Sequence, residues 1–398
     1  MKKYIFLTPS ITNMGGSEMF TYNKWRYLST HGWDVNIFFF NKTGQFMLKE
    51  LEIYKHNCIP DLIFGLSYFS ENEQEKILNR ILSGVSSGDE VVVESHLFSL
   101  SLWGELIAAK TSGKSILNCM EENIPQISKN EFGFVEFKLK RNEILNCTKN
   151  SLRRYFGKYF KDEYEEYIHG CMKPFCSNVV THTVYSDAKI PHADFSILSI
   201  GRLEKTYVIP SFIEVRRFVV LHPDKSFNVI VIGGDPTGLA QGNITNVFNG
   251  LSNVNLVFLG YMYPIPSNLI NINDVAIASA NSVLVPSNEG VPTIAIDIHD
   301  NLPLGIYGKT AFNLFARDGN PIIPMFDLLD DVLIKKLYPK AEPVVSDEEA
   351  ELEEVFGKQV DFLKMSPNDG ATYPVRVLFS VMEKMQGRIK HFLHNRCL

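Results

Sequence analysis

Two carboxylates, Glu289 and Asp297, stand eight residues apart in the otherwise apolar stretch "PSNEGVPTIAID" at 286–297. Charges are seldom buried without a partner, so acids in such a stretch either face solvent or hold something polar. "SVLVPS" reads as a buried strand and "NEG" as a turn. Pro292 suits the first turn of a helix, where its missing N–H costs nothing. "TIAIDIHD" then supplies that helix, and the free N–H groups at its start make an anion site. A phosphate held there leaves Glu289 and Asp297 on either side to accept hydroxyl protons, which sugars and riboses offer in pairs. The plainer alternative is a solvent-facing Asp297 and a Glu289 that only complements the helix dipole.

Other stretches point the same way. In "SIGRLEK" a strand ends at Gly201, and Arg202 and Lys205 follow. A guanidinium and an ammonium at a strand end suit a diphosphate, although a solvated loop would carry the same charges. "VIGGDPTG" places Gly233 and Gly234 where a nucleotide could approach the backbone, without the G-x-G-x-x-G spacing of a dinucleotide site. Near the N-terminus, "NMGGSE" puts Gly15 and Gly16 between a strand and a helix. "ESHLF" sets His96 after a strand, and "CMEEN" does the same for Glu121 and Glu122. A lone histidine is usually structural and a glutamate pair is usually a surface turn. Three such strand ends in one half favour a site.

The elements that must position these residues alternate strand and helix. "KYIFLTP", "WDVNIFFF", "DEVVVES" and "KSILNCM" are strands of the first half, with helices at 19–32 and 97–113. Four more strand-length runs, at 194–201, 227–234, 255–261 and 281–287, form a second half. This alternation predicts parallel sheets covered on both faces. The fold class is α/β, with two doubly wound, Rossmann-like domains facing across a cleft and ligands at the carboxyl ends of the strands. The first domain is read at 1–190 and completed by a C-terminal helix at 375–398; the second is read at 191–374. The stretch from about 122 to 192 is polar and irregular. Ser346 with Glu349 fits a capping box that opens a helix.

Composition narrows the function. The chain has 398 residues, 45% of them hydrophobic and 21% charged, which can build real cores. A net charge of −6 argues against a general nucleic-acid binder. Six scattered cysteines without metal spacing read as reduced thiols. No apolar run approaches the roughly 20 residues of a membrane span. The run Tyr4–Leu7 is too short for a signal peptide core, so a cytoplasmic protein is expected. From Lys138 to Lys161 there are eight basic residues and one acid, Glu143. Leu152, Tyr155, Phe156, Tyr159 and Phe160 follow helical spacing opposite Arg154, Lys158 and Lys161. Segment 149–161 is therefore either a helix packed on the first domain or a peripheral contact with the inner face of the cell membrane.

Taken in order, these motifs resemble the family 4 retaining glycosyltransferases of the GT-B fold. The matching pieces are Gly15–Gly16, then Gly201–Arg202–Leu203 with Lys205, then "IGGDP", then Phe258–Tyr261. Last come Pro286–Ser287, Glu289–Gly290 and Pro292, with Asp297 as the second acid. The resemblance implies a nucleotide sugar, UDP- or GDP-linked, as co-substrate, and a cell-surface polysaccharide or lipid-linked glycan as acceptor. It implies a catalytic set of Arg202, Lys205, Glu289 and His96. Donor contacts would fall on Gly15, Gly16, Gly233, Gly234, Tyr261, Ser287, Gly290, Val291, Thr293, Ile294 and Asp297. Glu121 and Glu122 stand on the acceptor side. No metal is expected, because no Asp-x-Asp or clustered histidines are seen. Asp297 is one methylene shorter than the family's glutamate, and Tyr207 stands where the family has a lysine. These departures keep open a GT-B-like protein without transferase activity that binds a sugar nucleotide or partners an active subunit. A nicotinamide-dependent oxidoreductase is a third reading, and the missing G-x-G-x-x-G counts against it.

Overall fold

The computed structural model describes the chain except residues 13–14, 43, 120–126, 147–151, 154–155, 168–179, 187–189, 236, 316, 318, 345–346 and 395–398. The chain forms two compact units: Met1–Lys173 with Glu349–Leu398, and Pro174–Glu348.

The first unit is built on β1 (Lys2–Thr8), β2 (Trp33–Phe39), β3 (Glu90–Ser95), β4 (Lys114–Asn118) and β5 (Ile144–Leu145). They run parallel in the order β2-β1-β3-β4-β5. Tyr4–Leu7 are buried without alternation, as expected of a central parallel strand covered on both faces. The main crossovers include α1 (Gly16–Thr30), α2 (Glu71–Ile81), α3 (Phe98–Thr111) and α4 (Lys129–Lys140). Capping boxes, Ser70 with Glu73 and Ser128 with Glu131, start α2 and α4.

The chain returns to this unit at Glu349, ahead of the helix at 375 read from sequence. Polar ties hold the returning helical stretch. Tyr27 donates to Glu353 at 2.8 Å, Lys24 to Gln359 at 2.7 Å, and Lys114 to the carbonyls of Leu363 and Ser366 at 3.0 and 2.9 Å.

The second unit carries β6 (Val180–Thr181), β7 (Phe195–Ile200), β8 (Phe227–Ile232), β9 (Val254–Gly260), β10 (Ile265–Pro266), β11 (Val275–Ser279), β12 (Thr293–Ile296) and β13 (Pro303–Ile306). Six of them form a sheet in the order β13-β12-β11-β7-β8-β9. It is parallel except for the β12–β13 pair. After β7 comes α5 (Val208–Val220), and after β8 comes α6 (Leu239–Val247).

One local reading is overturned here. Residues 281–287 are not a strand, and Pro292 does not open a helix. The strand is "VAIAS" at Val275–Ser279, a helical turn covers 280–288, and Thr293–Ile296 is β12. Two alanines, weak strand formers, disguise β11, which lies between β7 and β12 and is buried throughout. Pro286 is the third residue of the helix Leu284–Asn288, where its missing N–H removes no intrahelical bond. Thr293, Ile294 and Ile296 are β-branched and buried in the sheet.

Of the segment read at 149–161, residues 149–151 and 154–155 lie outside the described residues; among the rest, no helix continues through Gly157. Gly157 has φ +49°, which breaks any helix there, and a 3₁₀ turn covers Gly157–Tyr159. Leu152 and Phe156 lie in the first unit's core with Tyr164, and Phe160 packs against it. Tyr159 faces Phe132 at 5.3 Å between ring centroids, and Tyr155 and Arg154 lie outside the described residues.

Lys138, counted with the basic run, is buried as well. It pairs with Glu105 and with Glu143 (2.8 Å) and donates to the Ser115 carbonyl (2.7 Å). Glu143 also receives Arg141 at 3.0 Å and the Ser366 hydroxyl at 2.8 Å, joining α4 to the returning segment. Lys138→Ala leaves Glu105 buried without a cation. It is expected to lower unfolding stability by about 3–5 kcal/mol, read as a shift in the urea midpoint.

Candidate functional site

The carboxyl edge of the second unit's sheet gathers several of the residues singled out. At the end of β7, Gly201 adopts φ +145° and Arg202 follows with a half-exposed side chain, 3.4 Å from Glu204. That surface pair is weak and leaves the guanidinium available to a stronger anion. At the end of β8, Gly233 and Gly234 are demanded by close approach. A Cβ on Gly233 would stand 1.8 Å from the Gly201 carbonyl oxygen, and one on Gly234 would stand 1.6 Å from the Tyr261 ring. Tyr261, after β9, is 40% exposed and shows part of its ring to solvent. Lys205 follows in the same loop as Arg202. Thr206 of that loop donates to Asn301 at 2.8 Å, tying it to the loop after β12.

Tyr207, where a second cation was sought, is buried at the start of α5 with its hydroxyl beneath Gly201. It supports the turn from inside and is not a phosphate contact.

The opening pair of carboxylates separates. Asp297 is at the carboxyl end of β12, on this edge, and 4% exposed. Its carboxylate accepts the His299 N–H at 2.8 Å, the geometry of an aspartate that shapes a turn. Glu289 lies before β12 and therefore at the opposite edge of the sheet. It ends the helix Leu284–Asn288 and accepts from Asn271 at 3.2 Å.

Gly290, at φ +80°, is the left-handed residue that stops this helix. A Cβ there would meet the Ala341 carbonyl oxygen at 2.0 Å, so this glycine packs against the irregular segment 341–344, whose Ala341 and Val344 N–H groups donate to the carbonyls of Gly290 and Asn288. Ser287 belongs to the helix, and Val291, Thr293 and Ile294 are buried in or beside the sheet. The phosphate-binding helix start expected at 290–294 is therefore absent. The ends of β7, β8 and β9 bring together Arg202, Lys205, Gly233, Gly234 and Tyr261; Asp297 lies on the same edge at the end of β12, beyond β11, and Glu289, Ser287, Gly290, Val291, Thr293 and Ile294 are not on it.

Sequence reasoning missed Asn281. Following β11 and Ala280, which adopts φ +53°, it carries a buried side-chain oxygen with no hydrogen-bond partner. Its place was hidden when 281–287 was read as strand.

In the first unit, Gly15 caps α1 and Gly16 opens it; a Cβ on Gly16 would meet nothing, whereas one on Gly15 would stand 2.8 Å from the Glu18 carboxylate, which lies at this helix start. His96, after β3, is buried and engaged on both ring nitrogens: Nδ1 with the Thr8 hydroxyl and Nε2 with Glu94, each at 3.1 Å. Glu94 was also missed, although an acid inside the apolar strand "EVVVES" was a visible signal. It is fully buried and receives four donors. His96 and Asn118 (2.7 Å) reach Oε1; Tyr4 (2.5 Å) and Lys24 reach Oε2.

Burial alone would raise the Glu94 pKa. The Lys24 charge, with contacts from His96, outweighs that and holds the carboxyl well below its usual range. Lys24 is itself lowered by burial, partly offset by Glu94. Glu121 and Glu122 lie outside the described residues. Among the described residues, no group of three or more His, Cys, Asp or Glu side chains could hold a metal ion.

With both sheets and their edges in view, comparison with known structures is informative. HepE from Anabaena, solved with UDP, is 14% identical over 99% of this chain and 100% of that one, with a TM-score of 0.53. The fold is that of the GT-B glycosyltransferases. A glycosyltransferase from Rickettsia africae superposes with a TM-score of 0.50 at 13% identity, covering 98% of this chain and 97% of that one. An α,α-trehalose 6-phosphate synthase from Burkholderia multivorans gives 0.50 at 11% identity, covering 100% and 99%. No protein-family model matches the sequence, and no curated protein matches it. At these identities the GT-B likeness is one of fold alone.

Glu94→Gln leaves Lys24 buried without its anion and is expected to cost about 3–5 kcal/mol at pH 7. Because the folded pKa lies below the ordinary 4.5, this contribution is present above about pH 4.5 and is lost as pH falls below it. Urea midpoints of the two proteins should converge on acidification. A constant gap from pH 7 to pH 3.5 would show that the charge of Glu94 is not what matters.

Proposed function

We propose that this chain is a nucleotide-sugar-dependent glycosyltransferase of the family 4 type. It takes a UDP- or GDP-linked sugar at the carboxyl edge of its second unit and transfers the sugar with retention to a polysaccharide or lipid-linked glycan. One observation carries the reading: at the ends of three adjacent strands, β7, β8 and β9, the chain presents Arg202 with Lys205, a glycine pair without Cβ atoms, and an exposed tyrosine. Cations at a strand end can offset charge on a departing diphosphate without a metal. The glycine pair lets the Gly201 turn and the Tyr261 ring close onto the end of β8, and the exposed part of that ring gives a ligand a flat wall. The unpaired oxygen of Asn281 supplies an acceptor for a ligand hydroxyl or amide. Glu289, at the far edge of the sheet, has no part in this reading. Neighbours solved with UDP or UDP-glucose support the choice of co-substrate.

A second reading, a sugar-nucleotide-binding protein without transferase activity, is favoured by two specific features. Tyr207 is buried where another cation would stand, and Asp297 is occupied with its own turn.

Calorimetric titration with UDP, GDP and their sugars tests both. Arg202→Ala is expected to weaken binding by about 1.5–3 kcal/mol, on the order of 10- to 150-fold. Glu289→Ala is expected to stay within about twofold of the parent. Failure of every nucleotide to bind sinks the proposal. Binding with no release of free nucleoside diphosphate over prolonged incubation with glycan acceptors selects the second reading.

A further inference from the structure

The helix Val381–His394 has one face the fold does not use. Met382, Met385 and Ile389, at i, i+3 and i+7, are 68%, 59% and 57% exposed. This spacing makes a single stripe on one side of a helix. Val377, in the turn just ahead, is exposed as well.

The opposite face fixes the helix's roll. Gly387 lies so close to the first unit that a Cβ would stand 2.6 Å from the Ser67 carbonyl. His391 packs edge-on to Phe64 and Phe69, with centroids 5.4 and 4.6 Å apart, and reaches Asp61 at 3.7 Å. The apolar stripe is therefore held outward and cannot turn in.

Its flanks are cationic. Arg388 and Lys390, one on each side of the stripe, are exposed, while Lys384 lies toward the packed side and is half-buried. None of the three has an ion pair among the described residues. Arg388 is near enough to Glu73 to help lower that carboxyl. The helix's own acid, Glu383, is used at its start, accepting from the Ser380 N–H and hydroxyl at 2.7 Å each.

We propose that this face docks the first unit on a lipid bilayer bearing anionic headgroups, with Met382, Met385 and Ile389 entering the boundary of the acyl chains. Apolar side chains bordered by lysine and arginine match such a surface on both counts. They do not match a second copy of this chain. In a two-fold pair the same patch faces itself, which would set Arg388 and Lys390 against their own likes. The proposal stands apart from the nucleotide-sugar reading, and its test uses no nucleotide.

The full chain is sedimented with phosphatidylcholine vesicles and with vesicles containing roughly one-third phosphatidylglycerol. The anionic vesicles should retain at least about tenfold more protein, and raised salt should release it. A Met385→Glu/Ile389→Glu variant should abolish retention. An Arg388→Glu/Lys390→Glu variant should reduce it at least about tenfold, from roughly fivefold per charge. All four positions are exposed, so melting temperatures should not move. Parent protein left in solution with both vesicles, or variants retained as well as the parent, overturns the proposal. So does a concentration-dependent dimer that Met385→Glu/Ile389→Glu dissolves, which would give the face to a second copy.

Discussion

A fully buried carboxylate organises the first unit. Glu94 sits inside a central strand, where an ionised acid survives only if its lone pairs are filled and its charge is answered. Its partners come from β1 (Tyr4), α1 (Lys24), the end of β3 (His96) and β4 (Asn118), and Lys24 passes the connection on to Gln359 in the returning segment. Hydrophobic contact would tolerate small slips between these elements, whereas donor–acceptor distances near 3 Å do not. The strand ends of this unit, where Gly16 and His96 lie, inherit their positions from that constraint.

The second unit solves a different problem at its own strand ends. There the side chains are removed and the backbones brought together: Gly201 against Gly233, and Gly234 against Tyr261. The result is an edge of main chain and one aromatic ring, with Arg202 and Lys205 projecting beside it. Turns at Asp297 and Thr206–Asn301 hold the flanking loops without entering the space. One unit thus ties its strands together with a closed polar network, and the other packs its strand ends backbone to backbone and leaves Arg202 and part of Tyr261 exposed.

The alternation of apolar runs was enough to reveal two doubly wound sheets and the strand ends carrying Arg202, the glycine pair and Tyr261. It misled where composition and position disagreed. "VAIAS" lacks the bulky residues that mark a strand, while "SVLVPS" has them, so the strand was placed one element late and Glu289 was carried to the wrong edge with it. The amphipathic pattern near 150–160 was real, but periodicity alone does not say whether an apolar stripe meets the protein's own core or something else. Besides His96, two residues along, the partners of Glu94 come from three other stretches of chain, and no local pattern encodes that meeting. Only the acid within an apolar strand hinted at it.

The first unit is made from two pieces of chain with the whole second unit between them. On a ribosome, the second unit's sequence is therefore complete before the first unit's is. Residues 1–173 must wait through 175 intervening residues, 174–348, before Tyr27, Lys24, Lys114 and Glu143 can meet the segment that engages them. Domains usually mature in the order in which they are made. Here the order is reversed: the unit begun first is finished last, and until then its half-built polar network is held only by what the early chain can assemble alone.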